Sequence, residues 1–299
     1  MKINFFTYLP ILAVLAAVVC VFIFTACKEK EEPKEDPPEE IVEPPDYNAP
    51  SGFESKKTGD TYGTLTEKSY ESTTTDATRK CYVYTPPEYD SNKTYPVMYL
   101  LHGIGGTHTE WKDGGKPNEI ISNLINAGEA KPMIVVMPNI RAMKPDSVPN
   151  DQFSAEAIAA FHNFINDLKD DLMPFIEKEY KVSNERTGRA IAGLSMGGME
   201  SLYIGISMPE TFGFIGAFSA APGLPLQPTQ MTLPDEYKDN TFIMICCALD
   251  DSLVFSFQEA YNNNLVNNGV KTTYYTLDNG GHSFTVWKNG LYNFTKRIF

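Results

Sequence analysis

Arg189-Ala-Ile-Ala-Gly-Leu-Ser-Met-Gly-Gly198 is the stretch that decides the fold. Residues 189–194 form an apolar run that predicts a buried strand, and residues 196–208 read as an apolar helix. Only Ser195 separates the two. Gly193-Leu194-Ser195-Met196-Gly197 therefore places a Gly-x-Ser-x-Gly pentapeptide at a strand-to-helix junction. A serine there sits on a turn so tight that small residues must flank it. The helix that follows aims its dipole and free N–H groups at negative charge developing beside the serine. The pentapeptide alone is only moderately specific; its context between strand and helix carries the reading.

Working outward, six more strands are predicted, at residues 79–85, 95–101, 132–138, 213–218, 242–248 and 272–276. Most of the later ones are near-continuous apolar runs, the pattern of strands covered on both faces in a largely parallel sheet. Helices are predicted at 118–127, 155–180, 196–208, 256–267 and 285–299. The second carries Ile158, Phe161, Ile165, Leu168, Leu172, Phe175 and Ile176 on one stripe. Strand and helix alternate from residue 63 to 299. One α/β domain is expected there, with a mostly parallel central sheet and helices on both faces.

A serine hydroxyl is a poor nucleophile and needs a base, normally a histidine oriented by a carboxylate. Four histidines are available. His282, in Gly280-Gly-His-Ser-Phe284, follows the last predicted strand and is the candidate base. His162 falls within a predicted helix, one residue off its stripe, and reads as a surface or satisfied residue. His108 lies in a polar loop, and His102 precedes Gly103 and reads as having another role. The carboxylate belongs after a strand between serine and histidine, where Asp250 and Asp251 both stand; spacing does not separate them. The other is expected to cap the next helix or face solvent. The order Ser195, Asp250 or Asp251, His282 is that of the α/β-hydrolase fold. Gly103, Gly105 and Gly106, after the strand at 95–101, allow backbone N–H groups close to a ligand. This loop is expected to supply half of an oxyanion hole, and the Met196 N–H the other half. The same run lacks the Gly-Lys-Ser/Thr of a phosphate loop, and Cys-x-x-Cys and His-Glu-x-x-His are absent, so neither nucleotide nor metal is indicated.

The net charge is −13 over 299 residues, and a basic face for nucleic acid is not in evidence. Residues 27–46 carry −6 of it and residues 47–299 carry −8. Residues 5–26 are uncharged and mostly apolar behind Lys2, which predicts an export signal over 1–26. It ends in Phe24-Thr-Ala-Cys27. Small residues before a cysteine resemble the lipobox of bacterial lipoproteins, so Cys27 is the expected lipidation site. The alternatives are an uncleaved membrane-spanning helix, since about 20 apolar residues cross a bilayer, or a cleaved soluble signal. All three place the domain outside the cytoplasm, and the first two hold it at a membrane. Residues 27–62 are expected to form an acidic Pro/Glu-rich tether, extended and self-repelling. Its acidic start also resembles a surface-export signal of some Gram-negative lipoproteins. Cys81, Cys246 and Cys247 read as buried thiols, with a bond from Cys81 to one of the others left open.

Residues 63–299 resemble the feruloyl esterase branch of carbohydrate esterase family 1. The likeness rests on Tyr99-Leu-Leu-His-Gly-Ile-Gly-Gly106, on 189–198, on Asp251-Ser-Leu253, and on Gly280-Gly-His-Ser-Phe-Thr-Val-Trp-Lys-Asn-Gly-Leu-Tyr-Asn-Phe294. The resemblance implies Ser195 as nucleophile, Asp251 rather than Asp250 as the acid, His282 as base, and Ile104 with Met196 as oxyanion donors. It implies no cofactor. It implies a feruloyl or related hydroxycinnamoyl ester on plant xylan as substrate, with an acetyl ester on xylan as the nearest alternative. A surface glycan-binding lipoprotein with a dead site is a reading from another class, against which the intact Ser, Asp and His weigh. Trp111, Trp287 and Tyr292 are candidates to stack on a sugar or aromatic acyl group, core packing being the competing role.

Overall fold

The computed structural model describes residues 46–299. The expected signal at 1–26, Cys27 and the acidic stretch up to residue 45 lie outside the described residues.

The strands are β1 (Thr64–Ser72), β2 (Ala77–Thr85), β3 (Val97–Leu101), β4 (Ile134–Pro138), β5 (Arg189–Leu194), β6 (Phe214–Phe218), β7 (Phe242–Ala248) and β8 (Thr273–Leu277). They form one sheet in the order β1-β2-β4-β3-β5-β6-β7-β8. β1 and β2 run antiparallel to their neighbours, and all pairings from β4 to β8 are parallel. All five residues of β3 and of β4 are buried, as their unbroken apolar runs require. β1 differs. Thr64-Leu-Thr-Glu-Lys-Ser-Tyr-Glu-Ser72 is an edge strand that buries only Tyr70 and Ser72, so no apolar run announces it.

The helices are α1 (Pro117–Asn126), α2 (Ala155–His162), α3 (Phe164–Asp167), α4 (Met173–Glu179), α5 (Met196–Ser207), α6 (Asp235–Lys238), α7 (Phe255–Asn267) and α8 (Phe284–Thr295). Side chains alternate across the sheet. Val97, Tyr99 and Leu101 face a core filled by Phe161, Phe164, Leu172, Leu202 and Leu265, from the α2–α5 and α7 side. Met98 and Leu100 face the opposite core with Ile120, Leu124, Leu291 and Phe294 of α1 and α8. Truncating a fully buried ring such as Phe164 to alanine would cost about 3–5 kcal/mol. The helix expected over 155–180 is broken: a π-helical turn at Leu168–Leu172 separates α3 from α4. Pro174 has no N–H to donate to the preceding turn, which is why regular pairing lapses there.

The folded unit begins at Asp46, not at residue 63. Tyr47 stacks on Tyr275 with ring centroids 4.2 Å apart, and its carbonyl accepts from Asn289 and Asn293 of α8. Phe53 meets Tyr292 edge to face, and Asn123 of α1 donates to the Phe53 and Ser55 carbonyls. Glu54 pairs with Lys288. The polar composition of 46–62 hid a strap whose aromatic and amide contacts bind it to the domain. Cys81, Cys246 and Cys247 are buried free thiols, and burial pushes the Cys81 thiol up to about 12.

Candidate active site

Ser195 joins β5 to α5 with φ 52° and ψ −117°, a conformation that side-chain-bearing residues rarely adopt. The surrounding backbone holds it there. Its N–H donates to the Phe218 carbonyl at 2.9 Å, and its own carbonyl accepts from Ala221 at 2.9 Å and Met199 at 3.0 Å. A Cβ at Gly197 would overlap the carbonyl oxygens of Leu101 and His102, and one at Gly193 would overlap the Gly197 backbone. These two glycines are therefore demanded by close approach.

His282 lies between β8 and α8. Its Nε2 is 2.9 Å from Ser195 Oγ, and its Nδ1 is 2.8 Å from Asp251 Oδ2. Asp251, just after β7, is 1% exposed. The Asp251 carboxylate can only accept from the ring, so Nδ1 carries the proton and Nε2 is free to accept from the serine hydroxyl. The expectation that the second carboxylate caps the next helix or faces solvent is corrected: Asp250 does not cap α7. It accepts the N–H groups of Gly280 at 3.3 Å and Gly281 at 2.8 Å, bracing the loop that presents His282.

The Gly103-Ile104 loop follows β3. Gly103 N–H donates to Glu110 Oε2 at 2.7 Å. The Gly103 carbonyl accepts from His102 Nδ1 at 2.6 Å and from Gly106 N–H at 3.1 Å. His102 Nε2 accepts the Ile140 N–H at 2.8 Å, which fixes the Nδ1–H tautomer. Burial pushes the His102 pKa down to about 4, so the ring stays neutral near pH 7. In a trans peptide the carbonyl and the following N–H point in opposite directions. Anchoring the Gly103 carbonyl on His102 thus turns the Ile104 N–H away from that ring. Met196 opens α5, so its N–H has no intrahelical acceptor. Ile104 and Met196 both line the pocket that holds Ser195 and His282.

That pocket encloses about 470 Å³ and is mainly apolar, with Ile104, Phe153, Ile158, Ala221, Leu253 and Val254 around the serine. Phe153 is 76% exposed and Leu253 66%, so two large apolar side chains stand open at its rim. The segment 139–155, which the sequence offers as a candidate lining of the acyl pocket, supplies Phe153. Leu253 was missed, and neither side chain is singled out by pattern, because a lone apolar residue in an irregular segment gives no periodic signal. Sequence reasoning also missed Glu110, whose carboxyl is pushed up by burial. The three stacking candidates are placed elsewhere. Trp111 is 1% exposed, donates its indole N–H to the Leu101 carbonyl, and packs between Phe218 and Phe284. Tyr292 packs on the strap at Phe53. Trp287 stands edge-on to the His282 ring at 5.1 Å and backs that imidazole instead of lining the pocket. Stacking on a ligand by Trp111 and Tyr292 is thereby corrected to packing. His162 Nδ1 meets the buried Glu200 carboxylate at 2.7 Å, and His108 meets Glu67 at 3.0 Å; neither lines the pocket. No cluster of metal-ligating side chains occurs among the described residues.

A parallel-centred sheet, a serine on a strained strand-to-helix turn and an imidazole bridging it to a buried carboxylate define a serine hydrolase of the α/β-hydrolase fold. Comparison with known proteins narrows the class. The Putative esterase family profile matches residues 72–238. An endo-1,4-β-xylanase/feruloyl esterase of Xylanibacter ruminicola is 30% identical over 251 residues, 80% of this chain but only 32% of that longer protein. The carbohydrate esterase family 1 ferulic acid esterase of Anaeromyces mucronatus, solved with ferulic acid, superposes with a TM-score of 0.80 at 30% identity, covering 85% of this chain and 97% of that one. S-formylglutathione hydrolase of Staphylococcus aureus, at 17% identity and a TM-score of 0.59, shares the fold alone. The chain belongs to the Putative esterase family, and within it resembles the family 1 feruloyl esterases.

Proposed function

We propose that this enzyme hydrolyses feruloyl and related hydroxycinnamoyl esters on plant cell-wall xylan through a Ser195–His282–Asp251 acyl-enzyme mechanism. The observation that carries the reading is the hydrogen-bonded line from Ser195 Oγ through His282 to Asp251, opening on an apolar pocket of about 470 Å³. An acetyl group has no use for that much apolar wall, whereas a phenylpropenoyl group would bury an aromatic ring against it.

Ser195 Oγ attacks the ester carbonyl as His282 Nε2 takes its proton. Asp251 keeps the imidazole in the right tautomer and balances its charge once protonated. The N–H groups of Ile104 and Met196 stabilise the oxyanion; one such donor is typically worth about 10²–10³ in rate. His282 then protonates the departing sugar oxygen. Water, deprotonated by the same imidazole, attacks the acyl-serine and releases the free acid. The steps require no cofactor.

The substrate assignment is tested by parallel assays on methyl ferulate, methyl caffeate and acetylated xylan. Turnover of the first two is expected, and release of acetate alone would overturn the feruloyl reading. We further propose that Cys27 is lipidated and that the acidic stretch holds the enzyme off a bacterial membrane, outside the cytoplasm. The support is the Thr-Ala-Cys sequence behind an apolar run. Cys27→Ala should lose incorporation of labelled fatty acid; incorporation equal to wild type would refute the anchor.

A further inference from the structure

Ile104 must aim one N–H at a developing oxyanion, yet Gly105 and Gly106 follow it. Glycines leave a backbone free to turn. Gly106 is held, its N–H on the Gly103 carbonyl at 3.1 Å and its α-carbon against Glu110, but a Cβ at Gly105 would meet only Gln152 Oε1, at 3.5 Å, so packing does not wedge the loop at Gly105. The peptide before Ile104 is held through His102, as described above. The peptide after it is held by one side chain: Arg141 Nη2 donates to the Ile104 carbonyl.

We propose that Arg141 is a positioning residue for the oxyanion hole: by holding the Ile104 carbonyl it pins the peptide that follows Ile104, so that the turn cannot rotate about Ile104 and pull the preceding peptide, which carries the Ile104 N–H, off line. Arg141 is itself rigidly seated. Its guanidinium lies over the Phe161 ring, 4.9 Å from the centroid. Its N–H donates to Asn139 Oδ1 at 3.1 Å, and its carbonyl accepts from Arg79 Nη1 at 2.9 Å. Arg79 is fully buried between Asp146 and Asp167, at 3.3 Å from each. A chain of fixed contacts thus runs from the antiparallel edge of the sheet to the oxyanion loop.

Fold stability does not account for this guanidinium. Arg141 is fully buried, and its Nε and Nη1 have no acceptor among the described residues. Burying a charge with donors unpaired costs folding free energy, and an apolar side chain of similar volume would fill the space without that cost. What Arg141 does that such a side chain cannot is hold the Ile104 carbonyl.

The test compares Arg141→Met and Arg141→Lys with wild type on 4-nitrophenyl acetate, a general esterase substrate. The proposal rests on the serine-esterase reading but not on the acyl group, and Ser195→Ala run in parallel reports on that reading separately. R141M should fold with a Tm at or above wild type, keep KM within about 3-fold, and lose about 10- to 100-fold in kcat, somewhat less than deleting a donor outright. Affinity for a trifluoromethyl ketone, whose serine adduct places an oxyanion in the hole, should fall by the same factor. R141K should recover part of both. A merely structural role would change the active fraction and leave ketone affinity of the folded enzyme intact. An unchanged kcat in R141M, or a kcat loss without the matching ketone loss, overturns the proposal. Should R141M not fold, R141K decides: kcat and ketone affinity falling together support it, and both unchanged overturn it.

Discussion

Asp250 Oδ1 accepts the Gly281 N–H at 2.8 Å, one residue before the histidine whose ring its neighbour Asp251 holds at 2.8 Å. Two adjacent carboxylates thus serve one imidazole in different ways, one through the backbone and one through the ring. Asp251→Asn should lower kcat by about 10³- to 10⁴-fold with little change in KM, because an amide cannot keep the proton on Nδ1 or balance the imidazolium. Asp250→Ala loosens only the loop, and a loss of at most about 10-fold is expected. Steady-state kinetics of the pair check this, and the opposite ranking would exchange their roles.

Ser195 is held at φ 52°, a conformation that costs a side-chain-bearing residue roughly 1–3 kcal/mol. Glycine adopts it freely. Ser195→Gly should therefore raise thermal stability by a few degrees while abolishing turnover, and Ser195→Ala should abolish turnover without that gain. Calorimetry on the two variants separates the strain from the loss of the hydroxyl. A glycine variant less stable than the alanine one would show that the turn carries no strain.

The inner strands were legible because burial on both faces writes an unbroken apolar run, and the serine turn because its steric demands leave a glycine signature. β1 was not legible: the face opposite Tyr70 carries Leu65, Glu67, Ser69 and Glu71, the Tyr70 face begins with Thr64, Thr66 and Lys68, and its pairing comes from β2. The strap at 46–62 reads as polar linker because its contacts are made by backbone carbonyls and scattered aromatics. Ser195 and His282 could be singled out by residue type and chain order, and Asp251 over Asp250 only by the family resemblance, but the parts that aim the oxyanion loop could not. His102, Glu110 and Arg141 act on carbonyl and N–H groups of residues up to 37 positions away, and no spacing rule encodes such partners.

The strap yields a stability prediction. A chain starting at Asp46 retains the Tyr47–Tyr275 stack and the Asn289 and Asn293 hydrogen bonds. One starting at Gly63 loses them and uncovers Tyr275 and Tyr292. The first should unfold at the temperature of the full chain. The second should unfold several degrees lower, since two aromatic contacts and several hydrogen bonds amount to a few kcal/mol. Equal melting temperatures would show the strap to be loosely laid on the surface.

Phe153 and Leu253 should decide which acyl groups the pocket favours. Both are exposed at its rim; the Leu253 N–H donates to Asp251 Oδ1 at 3.3 Å, whereas Phe153 makes no hydrogen bond to the Ser195–His282–Asp251 line and is the cleaner site to change. Phe153→Ala should raise KM for methyl ferulate by about 10-fold, the worth of one aromatic contact, and leave 4-nitrophenyl acetate unchanged. A parallel loss on both esters would mean that the substitution disturbs the catalytic geometry itself.

Asp171 supplies a pH dependence whose sign can be worked out. It sits in the π-helical turn and accepts from the N–H and hydroxyl groups of Thr73 and Thr74, at 2.7–3.0 Å, tying the β1–β2 turn to the helices. Burial pushes its carboxyl up, but these donors outweigh burial and hold it at about 2. Unfolded, the group titrates near 3.9 or so, about the ordinary aspartate value. A carboxyl depressed by folding stabilises the native state above its unfolded pKa, and that contribution is lost as pH falls through the folded one. Other carboxylates also titrate in acid, so wild type is best measured against Asp171→Asn, in which only this contribution is missing. At pH 6 the variant should unfold at lower urea concentration. The gap should narrow between about pH 4 and pH 2, where the wild-type carboxyl takes up its proton and becomes as neutral as the amide. A gap that stays constant over that range would mean that Asp171 contributes hydrogen-bonding shape and not charge.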